Sequence, residues 1–233
     1  MIQILSLSVR PHAQTQNLNT SYLMAHISPD LSFELPLWAA GAAYLAGLDE
    51  AGRGAWAGPV SAGAVILPQD ADLCNRLNGV RDSKQMTPRQ RSAWAIEIRR
   101  AALAWGVGFA SQAEIDELGI LPSTRLAMQR ALDQLDLPPQ HLLLDAVRLP
   151  AVTLPQTVLI KGDARCLSIA AASVLAKTAR DELLLAWEEE YPGYGFARHK
   201  GYGTAAHRQA LQVKGPCPLH RLSFAPLREL KRQ

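Results

Sequence analysis

The sequence predicts an α/β protein built on a central sheet of five strands, and three observations predict it. Short apolar runs of strand length alternate with longer segments of helical length. Several of the apolar runs end in acidic residues, a pattern open α/β sheets use to place their sites. Of the 233 residues, 48% are hydrophobic and 19% charged, which is the composition of a folded chain rather than a disordered one. That length sits near the upper size of one ordinary domain, so one main domain with appendages is expected.

Taken in order, residues 1 to about 40 are rich in Gln, Asn, Ser, Thr and Pro, carry only Arg10, Asp30 and Glu34 as charges, and hold no sustained period. Residues 1–43 are therefore expected to be a poorly ordered extension outside the core, with Met24 as an alternative start. AAYLAGLDE reads as a first strand, and VSAGAVIL, Val60 to Leu67, as a second, joined by a glycine-rich turn. Thr87 and Pro88 form the start signal of a helix running through Trp94, Ile96, Ile98 and Leu103. WGVGFAS is a third strand. Two helical segments follow, Ala113 to Leu118 and Ser123 to Leu135, and then HLLLDA and TVLIKGD, apolar enough to be buried strands. A long helix from about Leu167 to Glu190 closes a core assigned to residues 44–190, and Tyr191-Pro192-Gly193 ends it. Residues 191–233 form a basic C-terminal region with a helix from about Thr204 to Val213.

Charge divides the chain unevenly. From Arg198 onward eight basic side chains face Glu229 alone, whereas the rest of the chain is mildly acidic although the net charge is only +3. Acidic groups that hold cations together with a basic arm that holds a polyanion would produce such an asymmetry. Cys74, Cys166 and Cys217 are odd in number and show no paired spacing, which suits reduced thiols and argues against structural zinc. No apolar run reaches the roughly 20 residues a membrane helix needs, and MIQILSLSVR lacks the basic start and cleavage site of a secretory signal. A cytoplasmic protein with no membrane partner is expected.

Three apolar runs end in acids: Asp49 and Glu50, Asp145, and Asp163. Carboxylates converging at strand ends repel one another unless protonated or neutralised by cations. Hard oxygen ligands without His or Cys point to Mg²⁺ or Mn²⁺. Because neighbouring strand residues face opposite ways, Glu50 can share a site with Asp49 only where the pleat breaks, and Ala51-Gly52-Arg53-Gly54 is the expected break. The same turn would bring backbone groups close to a ligand.

The strings LDEAGRGAWAGPVSAGAVIL, GVRDSK, LLLDA, KGDARCLSIAAASVLAKTARD, YPGYGFARHKGYGT and HRLSF occur in this order between about Ala46 and Phe224. Together they closely resemble the signature of the ribonuclease HII family. The resemblance implies a ribonuclease H-like fold, with a mixed five-stranded sheet, flanking helices and a small helical C-terminal region. It implies that Asp49, Glu50, Asp145 and Asp163 are catalytic and hold two divalent cations, Asp49 bridging them. Ribonuclease HIII, a similar family, carries Glu at the fourth position.

What the resemblance implies further is an endonuclease that hydrolyses the RNA strand of RNA/DNA hybrids and nicks duplex DNA 5′ of embedded ribonucleotides. Two metals would activate water and stabilise the leaving oxygen, giving 3′-hydroxyl and 5′-phosphate ends. A place in DNA replication and repair, through ribonucleotide excision, goes with it. Only the 2′-hydroxyl distinguishes RNA from DNA at the sugar, and the family places Gly52, Arg53 and Gly54 around it. Tyr202, within Lys200 to Gly203, would pack on the sugar after the ribonucleotide, and Lys84 and Lys177 would contact phosphates. Ser173 and Asp181 read as supporting or capping residues, and His199, His207 and His220 as structural or facing the duplex. Two other readings stand beside this one. A noncatalytic nucleic-acid-binding module would bind through the basic tail without Asp49 and never cleave. Another nuclease of the same fold would lack the Gly-Arg-Gly and Lys-Gly-Tyr-Gly elements.

Overall fold

The structure, a computed structural model, describes residues 28–230. After helix α1 (Glu34–Ala39), strand β1 (Leu45–Ala51) and strand β2 (Val60–Ile66) pair antiparallel. Helices α2 (Leu73–Arg76) and α3 (Pro88–Ala101) lead to strand β3 (Ala104–Ala110), antiparallel to β2. Helices α4 (Gln112–Leu118) and α5 (Ile120–Leu132) precede strands β4 (His141–Asp145) and β5 (Gln156–Leu159). β4 runs parallel to β1, and β5 parallel to β4. The sheet is therefore mixed, with order β3-β2-β1-β4-β5, and β1 lies at its centre.

Helix α6 (Leu167–Glu190) covers one face of the sheet and α5 the other. The small residues of β1 and β2 decide how closely α6 lies. A Cβ at Gly47 would stand 2.2 Å from the Ser168 carbonyl carbon, and one at Gly63 would stand 2.3 Å from the Ala172 oxygen. α6 therefore rests backbone to backbone on the sheet, which brings Ser173 beside Asp49. On the opposite face Ala46, Leu48, Ala62 and Ala64 pack against Ala127, Met128 and Ala131 of α5.

Local signals place the helix ends. Thr87 and Gln90 form the capping box of α3, with Pro88 in the first turn as expected. Pro122 also sits in a first turn, since α5 begins at Ile120 after the single residue Gly119.

One expectation is corrected. Residues 1–43 do not all lie outside the core, because Leu31 and Glu34 are buried and Phe33, Leu37 and Trp38 pack on Leu45, Leu143, Leu159 and Ile169. The backbone of Asp30 is bonded to both sides of Cys166, accepting from Leu167 at 2.9 Å and donating to Arg165 at 3.3 Å. Glu34 Oε1 accepts from the Ser168 N–H at 2.9 Å and the Ser168 hydroxyl at 2.8 Å, so it satisfies the otherwise uncapped start of α6. Composition concealed this because the apolar side chains are scattered and the charge is buried. Residues 1–27, including Met24, lie outside the described residues.

Helices α7 (Phe196–His199), α8 (Ala205–Lys214) and α9 (Leu227–Leu230) complete the chain. They pack through Phe196, Leu211, Leu219 and Leu227 on Ala57 and Leu184. Among the described residues no helix is long and apolar enough to cross a membrane.

Candidate active site

β1 and β4 are neighbours in parallel, so Asp49 and Asp145 emerge side by side at the sheet's C-terminal edge. Asp163 arrives differently from the expectation. β5 ends at Leu159, and Asp163 sits beyond it in a 3-10 turn, Gly162–Ala164, entered through the left-handed Lys161 at φ 55°. One carboxylate oxygen from each of Asp49, Asp145 and Asp163 lies within 4.8 Å of the others. Glu50 is outside that group. β1 stays paired with β2 as far as Ala51 and Ser61, so the ladder does not break before Glu50, yet its carboxyl lines one cavity with Ser83, Lys84 and Lys177 and feels Asp49 and Asp145. Its Oε1 accepts from Arg53 Nη1 at 3.0 Å, while its buried Oε2 finds no donor among the described residues.

The cluster is electrostatically strained. Burial raises the Asp49 carboxyl well above its ordinary range, and Glu50, Asp145 and Asp163 push the same way against the nearby Ser173 hydroxyl. Glu50 is raised by burial with Arg53 opposing, and Asp163 is raised by burial and by Asp82 and Asp145 with Lys84 opposing. Lys84 reads the same field from the other side. Burial disfavours its charge, yet the surrounding carboxylates raise its pKa overall, and its ammonium lies 3.7 Å from Asp163 Oδ2. Asp49 Oδ1 takes the Glu50 N–H at 2.7 Å, but Asp49 Oδ2 is buried with no donor among the described residues. Two orphaned carboxylate oxygens, an all-oxygen donor set and raised pKa values fit a hard divalent cation, which would neutralise the cluster and complete it.

Beside the acids, a cavity of about 210 Å³ is lined by Glu50, Gly52, Arg53, Gly54, Ser83, Lys84, Lys177 and Tyr202. All six residues expected to meet the substrate line it. Lys84 is open to solvent, its side chain being 70% exposed. Lys177 is not. Its ammonium is 2.6 Å from Asp181 Oδ1, whose other oxygen accepts from Arg91 at 2.7 Å, and it lies 5.5 Å from the Tyr202 ring centre. Burial lowers its pKa. A larger cavity of about 650 Å³, lined by Phe109, Arg130, Leu183 and Trp187, contains none of these acids.

Several residues were missed by sequence reasoning. Ser83 bonds Ser173 at 3.0 Å beneath Asp49, and Arg91 anchors Asp181. Arg180 and Arg221 are fully buried under the Gly52 to Gly54 turn, and the only signal for them was their place inside the strings KTARD and HRLSF. His199, His207 and His220 are structural. His207 stacks on His199 at 4.4 Å and meets His220 nitrogen to nitrogen at 3.0 Å.

The model of the ribonuclease HII family matches residues 46–227. A ribonuclease HII of Synechococcus sp. (strain JA-3-3Ab) is 54% identical over 205 residues, covering 88% of this chain and 92% of that protein. One of Roseiflexus castenholzii is 54% identical over 206 residues, with the same two shares. Among solved structures, the ribonuclease H2 of Pyrococcus horikoshii OT3 superposes with a TM-score of 0.68 at 26% identity, covering 81% of this chain and 97% of that one.

Proposed function

The chain belongs to the ribonuclease HII family, and from that premise we propose that it nicks duplex DNA on the 5′ side of embedded ribonucleotides and cuts the RNA strand of RNA/DNA hybrids. As a member of that family it is a ribonuclease with the ribonuclease H-like fold. One observation carries the finer reading: carboxylate oxygens of the buried Asp49 and Asp163 and the half-buried Asp145 converge within 4.8 Å beside a cavity walled by Gly52 to Gly54 and Tyr202.

Asp49, Glu50, Asp145 and Asp163 would hold two divalent cations, Mg²⁺ or Mn²⁺. Bound there, such cations supply an activated water and neutralise charge on the leaving oxygen, so that the ends are a 3′-hydroxyl and a 5′-phosphate. Gly52, Arg53 and Gly54 present backbone to the 2′-hydroxyl. Tyr202, across the cavity, packs on the next sugar and so reads the change from RNA to DNA. Arg53 keeps Glu50 oriented through its 3.0 Å contact. Lys84 offers an exposed ammonium to a backbone phosphate, and Lys177 supports the same wall while shared with Asp181. RNA/DNA hybrid and ribonucleotide-containing duplex are the partners this chemistry recognises.

The test is a DNA duplex with one embedded ribonucleotide, incubated with the full chain and Mg²⁺ or Mn²⁺. A single nick 5′ of the ribonucleotide is expected, and Asp49→Asn should abolish it while leaving duplex binding, which phosphate contacts dominate, largely intact. An uncut duplex in the presence of folded protein and both metals would refute the reading.

A further inference from the structure

Two guanidinium groups lie under the cavity wall with no acid to pair with among the described residues. Arg221 donates through Nη2 to the Gly52 carbonyl at 2.8 Å, through Nη1 to Arg53 at 2.9 Å and through Nε to Gly58 at 2.9 Å. Arg180 donates to Ala57 at 3.0 Å, to Pro59 at 2.8 Å and to Lys200 at 2.8 Å. Six carbonyls thus solvate two buried charges. Burial and the neighbouring Arg180 push Arg221 down to about 9, which leaves it cationic at neutral pH.

The direction of those carbonyls has a consequence fixed by peptide geometry. In a planar trans peptide the C=O of one residue and the N–H of the next point opposite ways. With the Gly52 and Arg53 carbonyls drawn inward to Arg221, the N–H groups of Arg53 and Gly54 turn outward on the cavity side. Gly52 itself takes φ 94°, and a Cβ there would stand 2.1 Å from Arg180 Nε, so only glycine lets Arg180 lie so close. Through Lys200, Arg180 also fastens the turn that carries Tyr202. Trp56 adds to that link by donating its N–H to the Gly201 carbonyl at 2.8 Å.

We propose that Arg180 and Arg221 are the specificity-determining positioning residues of this site: they hold Arg53 and Gly54 as paired N–H donors toward the ribose 2′-oxygen and keep Tyr202 at a fixed distance from them. This rests on the reading of Gly52 to Gly54 as the ribose-facing turn. Neither arginine touches the substrate. Their loss should therefore erase the preference for a ribonucleotide while sparing general duplex affinity, which comes from phosphate contacts elsewhere.

The experiment measures binding of two duplexes, identical except for one ribonucleotide, to Asp49→Asn protein with Mg²⁺ at one salt concentration, with and without Arg221→Lys or Arg180→Lys. Lysine keeps the charge but cannot serve three carbonyls from one plane. The Asp49→Asn parent should prefer the ribonucleotide duplex. Each added lysine should cut that preference roughly tenfold, the order expected when two hydrogen bonds are misaligned, and change all-DNA affinity less than about threefold. An unchanged preference in a variant that melts like its parent overturns the inference. So does equal loss of affinity for both duplexes, or failure of both variants to fold, which would assign the pair to stability. A parent without preference, tested beside cleavage by the wild type, would overturn the ribose-facing turn as well. A parent with preference and variants that keep it would overturn this inference alone.

Discussion

The Gly162 N–H donates to Asp145 Oδ1 at 2.8 Å, so the last residue of β4 orients the turn that brings Asp163 into the cluster. Backbone hydrogen bonds thus help to place the carboxylates. Asp49 is fixed by the Glu50 N–H and Asp163 by that turn, and burial together with the neighbouring carboxylates raises the Asp49 pKa.

That strain predicts how stability depends on pH. Asp49, Glu50 and Asp163 have folded pKa values raised above the ordinary 3.8 for Asp and 4.5 for Glu. The folded state therefore holds these protons more tightly, and stability falls as pH rises from about those values through the raised ones. Glu114, held near 2 by Arg130, acts in the opposite sense, so the difference between variants isolates the cluster. In chelator at pH 7, Asp49→Asn should be more stable than wild type by about 1–3 kcal/mol, the cost of one buried unsatisfied group. That corresponds to roughly 2–4 °C in Tm per kcal/mol. Mn²⁺ should raise the wild-type Tm and raise the variant's less. Thermal melts across pH 4–8, with and without the ion, decide it; a variant that melts lower than wild type in chelator would refute the account.

Tyr202→Ala should slow nicking at a single ribonucleotide roughly tenfold to a hundredfold, from a lost contact of about 1–3 kcal/mol. The carboxylate cluster is untouched by this change, so cleavage should persist. Continuous RNA/DNA hybrid should suffer less, and Tyr202→Phe should be mild, because the ring carries the contact. The quantity to compare is the ratio of rates on the two substrates at one salt concentration. A ratio equal to that of wild type would remove Tyr202 from junction sensing.

Glu34→Ala should destabilise the fold by about 1–3 kcal/mol, since the Ser168 N–H and hydroxyl would lose their buried acceptor. A chain beginning at residue 44 should likewise melt below one beginning at residue 28, because it lacks the Leu31, Leu37 and Trp38 contacts. Calorimetric or circular-dichroism melts of the three chains provide the check. Equal midpoints for the two truncations would show that α1 contributes nothing to the core.

Much of this was legible in residue order alone. Short apolar runs of strand length marked all five strands, Thr87-Pro88 marked the start of α3, and the acids following those runs marked the cluster. These signals are local, and local sequence carries them because short apolar runs, helix caps and turns are set by neighbours within a few residues. Tertiary structure decided the rest. That the strand runs on unbroken through Glu50 depended on how far β2 stays paired with β1, a register between residues ten apart and more. Glu34 reads as one charge in a polar leader until α6, more than 130 residues later, supplies the N–H groups that need it. Arg180 looks like an ordinary charge in a long helix, and Arg221 like one more charge in the basic C-terminal region. Only the folded backbone, by turning the carbonyls of residues 52–59 inward, gives two buried cations their partners and aims the neighbouring N–H groups at the cavity.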